Sequence, residues 1–225
     1  MKNDGIRSRL QAILFDFDGT LIDASEVICH SFNHALRTSG QPVVPLEFIR
    51  HGIGRPLREI FLECVSPELL ETVIAAYREE FSRLSIEGSR LIPGVDSLVP
   101  RLAEFHALGI VTSRTSSSVH SLLRHFELDR FFGSVVGVGE VSKYKPAPEP
   151  VWKALEELGA DSSRAAMVGD TVHDIQAARA AGVLAIGVAT GAHSPADLRA
   201  AGAARVLESV ADLPRFLEDP RTARP

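Results

Sequence analysis

Residues 15–20 read Phe-Asp-Phe-Asp-Gly-Thr, directly after the apolar run Ala12 to Phe15. Strand side chains repeat every two residues, so Asp16 and Asp18 leave such a strand on nearly the same side, and Gly19 lets the backbone turn beyond them. Two adjacent carboxylates can divide the work of nucleophile and proton carrier, or share a hard cation. Farther along come Thr112 and Ser113, then Lys145, then Asp170 and Asp174 in Gly-Asp-Thr-Val-His-Asp. Singly, each has a plainer reading. Asp18 or Thr20 suits a helix cap, Thr112 a turn hydroxyl, Lys145 a solvated charge, Asp170 a cap and Asp174 an exposed helix face. Together, these acids, the lysine and the hydroxyl at one edge describe a site for an anion and a divalent cation. Lysine is scarce in the chain, at positions 2, 143, 145 and 153 alone, which gives Lys145 more weight.

The elements that must position these groups follow from hydrophobic period. Ala12 to Phe15 is apolar without alternation, as in a strand buried on both faces. After Asp23 the pattern turns helical. Residues 25–38 carry Ile28, Phe32, Ala35 and Leu36 on one face and stop at Gly40, and another helix starts after Pro45. Residues 56–64 and 67–84 continue, with Ser66 as a cap, Pro67 in the first turn, and a stripe of Leu70, Val73, Ile74, Tyr77 and Phe81. Nothing from 24 to 90 reads as a strand, so a small all-α domain is expected inside the first crossover, hinged near 20–24 and 88–94. From Pro93 strands and helices alternate: helix at Val95, Leu98, Val99, Leu102 and Phe105, strand 109–112, helix 119–126, strand 135–138, helix 151–158, strand 165–168, helix 175–181, strand 184–188, helix 195–201. An edge strand and a last helix fall in 203–217, before a loose tail. Such alternation calls for an α/β fold, a Rossmann-like parallel sheet between two helical layers. The division expected is 1–22 and 92–225 as core and 23–91 as helical cap.

Composition bounds the partners. The balance of 24 basic and 29 acidic residues, net −5, and the lack of a basic stripe argue against nucleic acid. No run approaches the roughly 18 apolar residues of a membrane span, and Met1 to Gln11 lacks the apolar core of a secretory signal, which makes the cytoplasm the expected compartment. Cys29 and Cys64 sit in apolar helical contexts without metal spacing and read as core filler.

FDFDGT, the hydroxyl in VTS, the lysine in KYKPAPEP and then GDTVHD, in this order with a helical insert after the first, resemble the haloacid dehalogenase superfamily, specifically the helical-cap branch containing phosphoglycolate phosphatases, β-phosphoglucomutases and pyrophosphatases. The resemblance implies a Mg²⁺-dependent enzyme that transfers a phosphoryl group through an aspartyl-phosphate. It makes Asp16 the nucleophile and Asp18 the proton carrier, with Asp18 protonated beside an ionised Asp16, since two close carboxylates resist ionising together. Thr112 and Lys145 bind the phosphoryl oxygens, with Lys143 as the rival lysine. Asp16, the Asp18 carbonyl and Asp170 hold the metal, and Asp174 holds a water or Lys145. Gly19, Thr20 and Ser113 join them as substrate-binding candidates.

The same resemblance narrows the reaction. Family dehalogenases lack the second acid, here Asp18, and family phosphonate hydrolases use a cap lysine, which residues 24–92 do not contain. Hydrolysis of a small phosphate monoester such as phosphoglycolate is the expected activity. A β-phosphohexose mutase, an inorganic pyrophosphatase and a non-catalytic binding protein of the same fold are the alternatives. Specificity is expected from the cap stretch 51–59, HGIGRPLRE. Arg55 would meet a substrate carboxylate or second phosphate, His51 and Arg58 are lesser candidates, and His173 lies behind the site or at the surface. The partner is a small phosphorylated metabolite, and the protein a monomer or homodimer.

Overall fold

The computed structural model describes residues 10–218. The expected loose tail lies outside the described residues from 219 onward, as do the first nine residues assigned to the core. Strand β1 (Ala12–Phe15) is followed by β2 (Ile22–Asp23), helices α1 (Ser25–Thr38), α2 (Leu46–Gly52), α3 (Leu57–Leu62) and α4 (Leu70–Gly88), and then β3 (Arg90–Leu91). The chain continues through α5 (Val95–Ala103), β4 (Ala107–Val111), α6 (Ser116–His125), β5 (Phe132–Val136), α7 (Glu149–Leu158), β6 (Ala165–Gly169), α8 (Val172–Ala181), β7 (Leu184–Val188), α9 (Pro195–Ala200), β8 (Arg205–Leu207) and α10 (Leu213–Glu218).

Six strands form one parallel sheet in the order β5-β4-β1-β6-β7-β8. The unbroken apolar run of β1 is explained by its place at the centre. Ala12 pairs with Ala107 on one side and Ala165 on the other, and Phe15 with Ile110 and Val168. Alternate residues then face opposite layers: Ile13 and Phe15 pack among residues of α5, α6 and α10, and Ala12 and Leu14 among residues of α7, α8 and α9. The sheet therefore has helices on both faces, the Rossmann-like arrangement that the alternation implies. The chain leaves β1 for β4 and β5 on one side and returns to β6 on the other. The carboxyl ends of β1, β4 and β6 thus border a topological switch point, where open α/β sheets take their ligands.

Helices α1 to α4 have an apolar cluster of their own. Phe32, Phe61, Leu70 and Val73 are buried in it with Cys29, and Phe32 stacks on Phe61 at 4.0 Å between ring centroids. Cys64 packs against the same cluster, so both thiols fill space as expected. Three local expectations need correction. Residues 22–23 and 90–91, in the stretches expected as hinges, form a two-stranded antiparallel ribbon, Ile22 opposite Leu91 and Asp23 opposite Arg90, where no strands were expected. Strands of two residues are too short to show a period. Helix α4 starts at Leu70 and has no Ser66 cap, because residues 66–70 form a tight turn in which the Leu69 and Leu70 N–H groups donate to the carbonyls of Ser66 and Pro67. Phe105 lies beyond α5 and is 58 % exposed, because the chain must turn into β4 two residues later. Among the described residues no helix is long and apolar enough to cross a membrane.

Candidate active site

Strand β1 ends at Phe15, and the Asp16 N–H donates to the Val168 carbonyl, so the sheet ladder itself fixes the first acid beside β6. Asp16 is buried, 2 % exposed. Its Oδ1 accepts from Lys145 Nζ at 2.8 Å, and its Oδ2 has no hydrogen-bond partner among the described residues. Lys145, delivered by the long loop after β5, also donates to Asp174 Oδ1 at 2.7 Å and to the Val111 carbonyl at 3.0 Å. An ammonium has three N–H donors, and all three are used. Lys143 is exposed and pairs with Glu149 at 3.3 Å, which removes it as the rival.

Asp170 and Asp174 come from the β6–α8 junction. The helix cap is Thr171, not Asp170: Thr171 accepts from the Asp174 N–H, and Asp174 Oδ2 accepts from the Thr171 N–H at 2.9 Å and its hydroxyl at 2.6 Å. Asp174, far from lying on an exposed face, is buried and spends both oxygens in holding Lys145 and closing the cap. Asp170 is fully buried. Its Oδ1 accepts from the Thr20 hydroxyl at 3.0 Å and its Oδ2 from the Ala192 N–H at 2.9 Å. Gly19 has φ +79°, and a Cβ there would come within 2.6 Å of the Asp170 carboxylate, so only glycine allows the turn after β1 to press against this acid.

Three carboxylates thus face one lysine. Asp16, Asp170 and Asp174 offer oxygens that all lie within 4.8 Å of one another. Burial first, then the Asp174 and Asp170 carboxylates, push the Asp16 carboxyl well above its usual range against the opposing pull of Lys145. Burial and then Asp174 push Asp170 up to about 7. Burial disfavours the Lys145 ammonium, but Asp16 and Asp174 more than offset it and push its pKa up. A charge excess of this kind, with a bare Asp16 oxygen at its centre, suits a hard divalent cation bound by oxygen.

Thr112 follows β4, lies 6 % exposed in the same cleft, and accepts from the Arg114 N–H at 3.2 Å. The hydroxyl of Ser113 donates to the Gly54 carbonyl at 2.8 Å, tying the β4 end to the helical insert. Gly54 has φ +93° and packs on Thr171, where a Cβ would come within 2.6 Å of the threonine methyl. The 51–59 stretch therefore does reach the strand ends. Arg55 lines the cleft, but its guanidinium is held by Glu63 at 2.6 Å. Arg58 pairs with Glu71, and exposed His51 bonds the Glu47 carbonyl. His173 is a neighbour of the site with its pKa lowered by burial, edge-on to His193.

The residue that sequence reasoning missed is Arg114. Its Nε and Nη2 donate to both carboxylate oxygens of Asp18, an arrangement that suits the ionised acid rather than the protonated one expected from a metal-bound Asp16. The correction has a simple cause, since a guanidinium now stands where only a second acid was considered. The available signal was an arginine two residues after the strand-end hydroxyl, in the polar run TSRTSSS. A cleft of about 870 Å³ opens over these groups, walled on the insert side by Ile28, Tyr77 and Phe81. Tyr77 and Phe81, read as part of a helix stripe, both line the cleft, Tyr77 while still packing against the insert's own cluster.

A three-layer α/β fold with four carboxylates, a hydroxyl and a lysine gathered at the switch point of its parallel sheet has groups suited to a phosphate and a divalent cation. The family model for haloacid dehalogenase-like hydrolases matches residues 13–188, and the chain belongs to that family. It is 37 % identical over 209 residues to the pyrophosphatase PpaX of Bacillus velezensis, covering 91 % of this chain and 95 % of the relative. It is 35 % identical to a protein of Dickeya dadantii named "probable phosphatase IndB", over 84 % of this chain and 85 % of the other. Among solved structures, a haloacid dehalogenase-like hydrolase from Streptococcus pneumoniae superposes with a TM-score of 0.84 at 25 % identity, over 92 % of this chain and 98 % of that one.

Proposed function

We propose that the protein is a phosphatase that moves a phosphoryl group from a small phosphorylated metabolite to Asp16 and then to water. The observation that carries the reading is the unpartnered Oδ2 of Asp16, buried at the end of β1 while its other oxygen is fixed by Lys145. In-line attack by that oxygen gives an aspartyl-phosphate and splits one hard displacement into two easier ones. Asp18, ionised while Arg114 holds it, takes up a proton brought by the phosphate ester, gives it to the leaving oxygen and takes one from the water that opens the intermediate. Thr112 meets the phosphoryl oxygens, with Gly19 and Thr20 shaping the same wall. Lys145, its three donors already engaged, acts through its charge and by holding Asp16 in place.

The acidic excess fits Mg²⁺, with Asp16, the Asp18 carbonyl and Asp170 as the groups that would hold it and Asp174 held back for Lys145. When bound, the ion would neutralise charge on the transferring phosphoryl group. Helices α1 to α4, with their separate apolar cluster, act as the cap over residues 10–22 and 92–218 of the core.

A monoester such as phosphoglycolate fits the cleft's polar floor. Pyrophosphate is the second reading, supported by the likeness to PpaX proteins. The test is phosphate release with Mg²⁺ from pyrophosphate, phosphoglycolate, hexose phosphates and p-nitrophenyl phosphate. Asp16→Asn should lower kcat by about 10³-fold or more on whichever is best. Release undiminished in Asp16→Asn would remove Asp16 as nucleophile, and interconversion of hexose phosphates without release would select the mutase.

A further inference from the structure

Arg114 is held in a way that neither packing nor the reaction at Asp16 requires. Its side chain is only 11 % exposed, pressed between an aromatic of each layer, with its guanidinium carbon 4.3 Å from the Phe81 ring centre on α4 and 5.8 Å from that of Phe17 after β1. Stacking of this kind fixes the plane of the guanidinium and leaves its edges to bond. Asp18 takes two of the five N–H groups. The rest have no acceptor among the described residues, in a side chain that lines the cleft. The other cleft arginines differ. Arg55 and Arg58 are paired with Glu63 and Glu71 on the insert's surface, and Arg78 is exposed.

We infer that Arg114 is a specificity-determining residue that binds the substrate's second anionic group, a phosphate or carboxylate beyond the phosphoryl being transferred, and in doing so releases Asp18 to take up the proton of the phosphate ester and pass it to the leaving oxygen. This rests on the phosphatase reading. Exchanging one oxyanion for another on a stacked guanidinium keeps the buried cation paired throughout, so the exchange avoids the large cost of leaving it alone. A substrate with only the transferring phosphoryl leaves Arg114 on Asp18. Discrimination then falls on kcat as well as KM, because the contact is linked to the freedom of the proton carrier. The position suits such a reader, since Arg114 follows Thr112 by two residues on the same strand end and touches the insert through Phe81.

The experiment compares wild type with Arg114→Lys and Arg114→Met on pyrophosphate, phosphoglycolate and p-nitrophenyl phosphate. It also measures by calorimetry the binding of non-hydrolysable methylenediphosphonate against inorganic phosphate. Loss of a charged hydrogen-bond partner should lower kcat/KM for the better of the two substrates that carry a second anionic group on the order of 10- to 100-fold more than for p-nitrophenyl phosphate. Methylenediphosphonate should lose affinity relative to phosphate by a similar factor, and Arg114→Lys should recover part of both. Equal losses on all three substrates would overturn the proposal, as would discrimination that disappears in Arg55→Ala or Arg78→Ala but survives in Arg114→Met. A wild type that releases no phosphate would remove the phosphatase reading, while the binding comparison would still decide Arg114. Thermal melts of both variants show whether the fold has been kept.

Discussion

At the scale of single residues, the site is a set of carboxylates that the fold forces closer than they would choose. Asp170, fully buried and next to Asp174, has its pKa pushed up to about 7. A carboxyl raised in the folded state favours folding most below its unfolded value of about 3.9, and that contribution is lost as pH rises through about 7. Without metal, the wild type should therefore lose melting temperature between about pH 4 and 7 more steeply than Asp170→Asn, which has no proton to lose there. Mg²⁺ competes with that proton, so its stabilisation of the wild type should grow across the same range and be much reduced in Asp170→Asn. Melting curves with Mg²⁺ or with EDTA read both effects, and a pH slope equal in the two proteins would show that Asp170 is not the group responsible. Asp16, Asp18 and Asp170 were visible in the sequence because they follow strand ends, and Lys145, carried by the loop after β5, because the chain is poor in lysine. Arg114 was not, because one arginine in a polar loop gives no period and no spacing to read.

The elements themselves were legible wherever burial imposed a rhythm. Strand β7 coincides with the expected 184–188, and β1 stood out because a central strand must be apolar on both faces. Boundaries failed where the chain needed no rhythm. The β2–β3 ribbon spans two residues a side, the start of α4 is set by backbone turns rather than by Ser66, and Phe105 drops out of its helix as the chain bends into β4. The insert's helices depend on their own cluster, with Phe61 fully buried against Phe32 and edge-on to Tyr77. Phe61→Ala should cost about 3–5 kcal/mol, and the loss should be local. Hydrogen exchange is expected to speed up across α1 to α4 while the amides of β1 and β6 keep their protection. Uniform loss over both parts would mean that insert and sheet unfold as one unit.

Taken whole, the molecule sets a cleft of about 870 Å³ over the carboxylates proposed to act on a small phosphate. That volume would suit a ligand of drug size, since such pockets run roughly 300–1,000 Å³. A substrate the size of pyrophosphate would share it with water, and an aspartyl-phosphate would be open to loss, unless the insert moves in. A phosphate analogue bound with Mg²⁺ should therefore lower the radius of gyration in small-angle scattering and slow exchange around Gly54, whereas an unchanged profile would favour a larger substrate. The net charge of −5 is no obstacle, because the arginines and acids lining the cleft nearly balance. The ribbon of β2 and β3 has a consequence of another kind. Because Asp23 and Arg90 lie opposite each other, the chain departs for the helices and comes back at neighbouring points on the sheet's rim. To the sheet, everything between them is a single detachable loop of any length. Lineages could thus trade one such cassette for another, changing what is recognised while the reacting aspartates stay where they are.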